Sequence, residues 1–276
     1  MASFRKFMTG KELRGEVRTA RFQGQTAGQA PGHLQGNIVI LPLRYAADFL
    51  LFCTNNPKPC PLVGISSVGG TSVPSLGDFD IRSDIPRYRV FREGRLDAEV
   101  TDIADQWRDD LVTFVLGCSF TFEEALMRSG FQVRHIEFGR NVAMFRTSIM
   151  TMPGGIFSGP LVVTMRSYPE EQIAEVFDLS SRYPHAHGTP VYWGDPASIG
   201  IEDIMQPAYG DAITVPEDET PVFWACGVTP QAAIETAKPD FCITHAPGCM
   251  LVTDVSSDEP PAVTLSMAAL RQISHS

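Results

Sequence analysis

The chain has 276 residues, of which 43% are hydrophobic and 20% charged, and its formal net charge is −10. These values are typical of a globular protein with a substantial core, arranged as one large domain or two smaller ones. The negative charge disfavours a nucleic acid or an anionic membrane as partner, since either needs a basic face, and no apolar run is long enough to span a bilayer.

The N-terminal region predicts a folded segment rather than a targeting signal. It lacks the hydrophobic core of a secretory signal, and Thr9 with Glu12 forms a capping pattern at the start of a predicted helix over residues 11–21. The six cysteines include no CxxC pair, so neither a disulfide scaffold nor structural zinc is expected. We therefore expect a reduced, cytoplasmic protein.

The next elements are short and are separated by loops rich in glycine. Strands are predicted at 38–41 and 62–65 with a helix at 46–53, and the segment 24–32 is either a linker or a loop whose backbone contacts a ligand. Residues 87–91 and 96–100 form a predicted hairpin. Nearby, Arg82 and Arg87 could bind a substrate carboxylate with their planar guanidinium groups; a solvated face or pairs with neighbouring aspartates is the alternative.

A Cys-x-x-Thr pattern follows a predicted strand and opens a predicted helix twice in the chain. Cys118 and Thr121 follow the strand 112–116, and Cys226 and Thr229 follow the strand 222–225. Each threonine is predicted to cap its helix, and the free N–H groups at such a helix start can bind an anion. The alternative is that each cysteine is a small buried hydrophobic residue without a chemical role.

His245 follows a predicted strand at 241–244 and precedes a predicted turn. In an open α/β sheet the ends of strands form the ligand-binding edge, so this imidazole and the Cys226 thiol are expected at one edge of a sheet. Gly227 and Thr229 would contribute backbone N–H groups and a hydroxyl there.

The middle of the chain predicts a smaller antiparallel α+β subdomain over residues 131–208, inserted into a main α/β domain formed by 1–130 and 209–276. Strands are predicted at 133–138, 143–150 and 161–166 and a helix at 169–179. On a strand, His135 and Glu137 would share one face, which suggests an oriented imidazole, and Arg146 lies on the following strand. His187 and Asp195 lie in a turn-rich loop that could bind substrate or, less simply, a metal.

Beyond that loop, a helical turn is predicted at 200–205, a strand at 211–215 and a terminal helix at 262–273. Several sequence blocks, taken together, resemble the D-glutamate cyclase family. They are GQTAGQAPGHLQGN (24–37), NPKPCPL (56–62), DIRSDIPRYRVFREG (80–94), GCSFTFEEAL (117–126), RHIEFGRNVAMFRT (134–147), HGTPVYWGDPASIGI (187–201), PVFWACGVTPQ (221–231) and ITHAPGCMLVTD (243–254). Tyr192-Trp193 and Ala143 stand where the family pattern has a His-containing dipeptide and a proline.

The resemblance implies a three-layer α/β main domain with a smaller two-layer α+β domain, and a hydro-lyase that converts D-glutamate to 5-oxo-D-proline and water. That reaction needs a base for the ammonium, donors for the oxyanion and an acid for the departing hydroxyl. The expected catalytic residues are Cys226, His245, Glu137, His135 and Cys118. The expected substrate-binding residues are Arg82, Arg87, Arg146, Gly227, Thr229, Thr121, His187 and Asp195.

Within this set His245 is the first candidate for base and acid, and Glu137 the second; Cys226 could instead attack to form a thioester. No cofactor or metal is assigned, the expected partner is a small carboxylate, and a homodimer is left open. Two other functions fit the same residues. One is a non-catalytic binder of small carboxylates, and the other is a metal-assisted dehydratase of a hydroxy acid.

Overall fold

The computed structural model describes residues 8–259. The helices are α1 (Gly10–Arg18), α2 (Ala46–Asn55), α3 (Phe120–Arg128), α4 (Arg134–Glu137), α5 (Glu170–Ser181) and α6 (Thr229–Ala237). The strands are β1 (His33–Pro42), β2 (Leu62–Ile65), β3 (Tyr88–Arg92), β4 (Arg95–Val100), β5 (Leu111–Gly117), β6 (Met144–Met150), β7 (Pro160–Tyr168), β8 (Tyr192–Trp193), β9 (Thr220–Ala225), β10 (Cys242–His245) and β11 (Leu251–Ser256).

The larger sheet has seven strands in the order β2-β5-β1-β10-β3-β4, with β11 also paired to β1. The long strand β1 is its centre: β5 pairs along one edge, and β10 and β11 share the other. All its pairings are antiparallel. The expected ligand-binding edge of an open parallel sheet is therefore wrong, because antiparallel neighbours do not bring their carboxyl ends to one side.

The smaller sheet has four antiparallel strands in the order β6-β7-β9-β8. Its strand β9, which the predicted division assigns to the main domain, pairs with β7 over six residues from Thr220 to Ala225. The chain then enters α6 and returns to the larger sheet as β10. The region from 220 to 256 therefore contributes to both sheets.

Apolar side chains alternate between the faces of each sheet. In β1, Ile38 and Ile40 belong to one core cluster and Val39 and Leu41 to another, as the two-residue period of a strand requires. The same alternation divides β9, where Trp224 and Phe223 lie in different clusters. A fifth cluster joins the two sheets and contains both Cys118 and Cys226.

The two helices that follow the cysteines pack on opposite sheets. Helix α3 leaves the larger sheet at β5, yet its Phe122 and Leu126 pack in the cluster that contains Trp224 of the smaller sheet. Helix α6 leaves the smaller sheet at β9, yet its Ala233 and Ile234 pack in a cluster of the larger sheet. Each sheet thus has its core covered in part by a helix that follows a strand of the other sheet.

Several predicted elements are confirmed and others are corrected. The strand 62–65, the β3–β4 hairpin and the helices at α1, α2 and α5 are present, with ends shifted by a few residues. The strand predicted at 133–138 is wrong, because residues 134–137 form the short helix α4. Residues 211–215 form no strand, and the turn near 200 is a 3-10 helix at Pro196–Ile199. The predicted terminal helix at 262–273 lies outside the described residues.

The structure is thus a mixed α/β fold with two antiparallel sheets. Within residues 8–259, no helix combines the length and the apolar character that crossing a membrane requires.

Candidate functional site

A cavity of about 430 Å³ lies between the glycine-rich loop and α3. This volume is in the range that holds small-molecule ligands. We call it the α3 cavity, and its lining residues are Gly28, Ala30, Pro31, Gly32, His33, Gln35, Phe120, Thr121, Glu123, Glu124, Met127, Arg128 and Ile136. The segment 24–32 is therefore not a linker: its second half forms one wall of a cavity.

Glu123 is the buried acidic group of this cavity, with 1% of its surface exposed. It sits in the first turn of α3, where the helix dipole favours a negative charge. One carboxylate oxygen, Oε1, lies 3.0 Å from His135 Nε2 and accepts a hydrogen bond from Arg166. The other oxygen, Oε2, is buried and has no hydrogen-bond partner among the described residues. A buried carboxylate with one free oxygen beside a cavity is poised to bind or to take up a proton.

Arg166 reaches Glu123 from the other sheet, on β7. Its guanidinium donates to Thr164 Oγ1 at 3.2 Å and to Ser119 Oγ at 3.1 Å, and it stacks over the rings of Phe122 and Trp224. Because the side chain is held on all these sides and is 5% exposed, its charge is fixed in place rather than solvated.

The charge of Glu123 follows from these neighbours. Burial alone raises the pKa of a carboxyl group, but the interactions with His135 and Arg166 outweigh it and hold the pKa of Glu123 below its ordinary value. Glu123 is therefore ionised at neutral pH. His135 is itself held by ring stacking on Phe120, with centroids 6.2 Å apart.

A second, narrow opening is lined in part by His135 and Arg166. Its volume of about 10 Å³ is close to the space that one water molecule occupies. Glu123 thus lines the α3 cavity, and its partners His135 and Arg166 line a space of about the size of one water molecule.

The other polar side chains of the cavity are Glu124, Arg128, His33, Gln35 and Thr121. One oxygen of Glu124, Oε2, is buried without a hydrogen-bond partner within residues 8–259. Arg128 is 3.9 Å from Glu124 and half-exposed. His33 is occupied, because Nε2 accepts from Gly10 N–H and Nδ1 lies 3.1 Å from Thr253 O. Two carboxylates and one half-exposed guanidinium therefore line the cavity.

Cys118 and Cys226 occupy equivalent positions in two repeated units. The Cys118 unit is β5, Cys118-x-x-Thr121 and α3; the Cys226 unit is β9, Cys226-x-x-Thr229 and α6. Cys118 N–H donates to Gln35 O, and Thr121 Oγ1 accepts from Gln35 N–H.

In the Cys226 unit the same two bonds join Cys226 and Thr229 to Val162, at 3.0 and 3.1 Å. The predicted threonine caps are wrong. Neither helix has a side-chain cap within the described chain, since both hydroxyls bond a neighbouring strand.

Neither thiol is activated. Burial is the main cause that raises the pKa of Cys226 to about 12, and burial also raises the pKa of Cys118. A thiol of that kind is protonated at neutral pH and is a poor nucleophile. Both belong to the apolar cluster between the sheets, with Val228 and Met250 among their neighbours. Cys226 and His245 are absent from the lining of the α3 cavity, whereas Thr121 belongs to it.

Gly227 shows how closely the sheets approach at the Cys226 unit. A Cβ atom at this position would lie 2.0 Å from Nδ2 of Asn37, so only glycine fits. The N–H of the next residue, Val228, bonds the Cys226 sulfur at 3.5 Å. The start of α6 is therefore closely packed against β1 at Gly227, where an anion site was predicted.

His245 ends β10 and is fully buried, with 1% of its surface exposed. Nδ1 lies 3.2 Å from the Ile38 nitrogen, which donates to it. Burial lowers the pKa of His245 to about 4, so the ring is neutral at physiological pH. No described contact joins its ring to Cys226 or Glu123.

The three predicted arginines lie apart from one another. Arg82 forms an ion pair with Asp80, two residues earlier. Arg87 is half-exposed and 3.9 Å from Glu99, and Arg146 binds Glu235 at 2.6 Å. None of the three lines the α3 cavity. For Arg82, the alternative of a pair with a neighbouring aspartate therefore fits better than a role in binding a substrate carboxylate.

His135 and Glu137 do not share a face, because they lie on a helix rather than a strand: His135 is buried and Glu137 is exposed. His187 is also buried, its Nδ1 lies 2.7 Å from Lys58 O, and burial lowers its pKa to about 4. Asp195 is exposed and caps the 3-10 helix at Pro196–Ile199. His135 is thus the predicted catalytic residue that contacts the Glu123 group.

Glu123, Glu124 and Arg166 were absent from the predicted site residues. The predicted role of this helix start was a cap at Thr121, and no catalytic or binding role was predicted for the two glutamates that follow it. Arg166 is 43 positions from Glu123, and only the reciprocal packing of α3 on the smaller sheet brings them together. Two consecutive glutamates near the start of a predicted helix were the available signal.

Among residues 8–259, no group of three or more His, Cys, Asp or Glu side chains is arranged to hold a metal ion. The geometry therefore gives no resident metal a set of ligands within this part of the chain.

Comparison with solved structures finds a distant likeness. A solved structure of a nitrogen repressor-like protein from Methanococcus jannaschii aligns over 91% of this chain and 100% of its own, at 10% identity and a TM-score of 0.36, which is too distant to support any argument.

Residues 112–254 match the family model described as D-glutamate cyclase. Three relatives are each named "putative hydro-lyase". The protein from Bordetella petrii is 57% identical over 90% of this chain and 94% of its own. Those from Jannaschia sp. and Ruegeria pomeroyi are 56% and 55% identical over 89% and 91% of this chain and 93% and 92% of theirs. The chain belongs to the D-glutamate cyclase family.

Proposed function

We propose that this protein is a hydro-lyase that removes water from a small amino-acid substrate in the α3 cavity, with the cyclisation of D-glutamate to 5-oxo-D-proline as the reaction. The observation that carries the proposal is Glu123 Oε2, a buried carboxylate oxygen without a partner in the described chain. It belongs to a residue that lines the cavity and that His135 and Arg166 keep ionised.

The cyclisation moves two protons from nitrogen to oxygen. The α-ammonium loses protons, the nitrogen attacks the γ-carboxyl carbon, and the oxygen that leaves receives both protons and departs as water. A single carboxylate placed between the nitrogen and that oxygen can carry them. Glu123 fits this role because Oε2 has no partner among residues 8–259, while Oε1 is held by His135 and Arg166.

Substrate orientation would come from the cavity walls. The two unpartnered carboxylate oxygens, on Glu123 and Glu124, suit the ammonium group, and Arg128 is the guanidinium of the lining that can turn toward a substrate carboxylate. Holding the substrate curled in this way would convert the attack into a positioned intramolecular step.

The test is direct detection of product. Purified protein is incubated with D-glutamate, L-glutamate and a set of 2-hydroxy acids, and loss of water is followed by mass spectrometry, with and without a chelator. The proposal expects 5-oxo-D-proline from the wild type, none above background from Glu123→Gln, and normal turnover from the exposed control Glu137→Gln.

Two results would replace the proposal with one of the other functions. Tight binding of carboxylates without any product would indicate a binding protein. Water loss from a hydroxy acid that stops with chelator would indicate a metal-assisted dehydratase.

A further inference from the structure

The lining of the α3 cavity is mainly apolar, with a minority of polar groups. Its carboxylates, Glu123 and Glu124, are consecutive residues on one helix. The apolar side chains of the lining are Ala30, Pro31, Phe120, Met127 and Ile136, and its other polar side chains are His33, Gln35, Thr121 and Arg128.

The volume of the cavity is larger than the proposed reaction needs. At about 430 Å³ it falls in the range of sites that enclose drug-sized ligands, a class larger than free glutamate. An apolar ligand group that covered the apolar side chains of the lining would bind favourably, because it would remove apolar surface from water.

The glycine-rich loop packs closely against α4 at one end of the apolar lining. Gly28 approaches Ile136 so closely that a Cβ atom would lie 3.2 Å from Ile136 Cγ2, and its φ of +66° suits glycine. Ile136 in turn packs against both the core cluster of α3 and the cluster between the sheets. The loop is therefore held against α4 at this end while the space beside α3 remains open.

We infer that the α3 cavity accepts amino acids with an apolar side chain or substituent, the ammonium group lying toward Glu123 and Glu124 and the apolar group along Phe120, Met127 and Ile136. This inference rests on the proposed function for the identity of the site. It adds that the enzyme discriminates by apolar bulk as well as by the glutamate skeleton.

The experiment measures binding with ligands that cannot react. D-alanine, D-2-aminohexanoate and D-2-aminooctanoate lack a γ-carboxyl group, so none can cyclise, and their affinities are compared by calorimetry. Affinity is expected to rise about threefold for each added methylene until the cavity is filled, because each buries apolar surface.

Two matched variants locate the effect. Met127→Ala shortens a cavity side chain that is 36% exposed, and Met152→Ala makes the same change at a position that is 64% exposed and outside the cavity lining. We expect Met127→Ala to weaken D-2-aminooctanoate several-fold more than D-alanine, and Met152→Ala to leave both affinities unchanged.

The outcomes separate the inference from the proposed function. Equal or falling affinity with chain length, or a loss that is the same for both variants, overturns the inference even if D-glutamate is cyclised. Rising affinity that depends on Met127, with no water lost from any substrate, supports the inference and overturns the proposed function instead.

Discussion

The Cys118 unit and the Cys226 unit share a backbone design but not a chemistry. In both, the cysteine N–H and the threonine hydroxyl bond one residue of a neighbouring strand, and the helix then crosses to the other sheet. The difference lies five positions after each cysteine, where the first unit has Glu123 and the second has Gln231. Gln231 donates to the His245 carbonyl at 3.0 Å, whereas Glu123 lines a cavity. The repeated unit supplies a rigid frame, and one substitution within it provides the ionised group.

The largest effect is expected when the first unit is made to resemble the second at this position. Glu123→Gln should lower kcat/KM by about 10²- to 10⁴-fold, the usual contribution of a general acid–base group. Glutamine has nearly the same size and keeps an oxygen that can accept from Arg166, but the buried guanidinium loses its counter-charge, so a loss of unfolding free energy is expected beside the loss of activity. Steady-state kinetics with Glu137→Gln as control checks it; full activity in Glu123→Gln would remove the proposed role.

The next largest effect concerns the partner from the other sheet. Arg166→Met should lower the free energy of unfolding by about 3–5 kcal/mol, because it leaves the buried Glu123 charge with His135 as its remaining ionic contact. Urea denaturation would measure it. The double variant Glu123→Gln/Arg166→Met should recover part of the loss, and strict additivity of the two changes would contradict a coupled pair.

A pH effect of similar size should come from the buried imidazoles. Burial lowers the pKa of His187 and of His245 to about 4, below the ordinary value near 6.5. The unfolded chain therefore takes up protons that the folded chain does not between these values, so the stability present above pH 6.5 is lost as the pH falls toward 4.

For each imidazole the loss should reach about 3 kcal/mol. His245→Asn should make the dependence of unfolding free energy on pH shallower over this interval in urea titrations, while the pH dependence of kcat should stay as in the wild type. A changed kcat profile would instead support His245 as the base.

A smaller and symmetrical effect is expected at the two threonines. Thr121→Val and Thr229→Val each leave a buried strand N–H, of Gln35 or of Val162, without its hydroxyl acceptor. Each should cost about 1–3 kcal/mol of unfolding free energy, measured by thermal or urea denaturation. Effects that differ widely between the two would show that the units are not energetically equivalent.

The smallest effect is expected at the thiol. Because its pKa of about 12 keeps Cys226 protonated, Cys226→Ser should change kcat by less than about twofold. A loss as large as that of Glu123→Gln would revive the thioester route, and a kinetic burst of product in the wild type would confirm it.

The local pattern of the chain was predictable where neighbouring residues decide it. Alternating apolar residues and turn formers located the β3–β4 hairpin, and apolar runs located the strands before Cys118 and Cys226. The helix α4 was mistaken for a strand because Val133, Ile136 and Phe138 are apolar, and four residues are too few to show a helical period.

The site depended on contacts that spacing does not reveal. Thr121 and Thr229 occupy helix starts, where a cap is the usual role, yet their hydroxyls bond strands that precede them by about 70 to 90 positions in the chain. The same crossing places Arg166 against Glu123. Cysteine and histidine were predicted as catalytic because they are reactive residue types, but burial in apolar surroundings suppresses their reactivity. That burial depends on the tertiary fold and cannot be predicted from the spacing of residues.

The exchange of helices between the two sheets has a consequence for biosynthesis. When the ribosome has released the chain only as far as α3, the apolar face of that helix has no surface to cover, since its counterpart is formed by β7 and β9, which follow later. Phe122 and Leu126 of the nascent chain therefore stay exposed to solvent until more than two hundred residues have emerged and β9 can form. Productive folding of this protein should consequently be a late, post-translational event that depends on chaperones more than its modest length suggests.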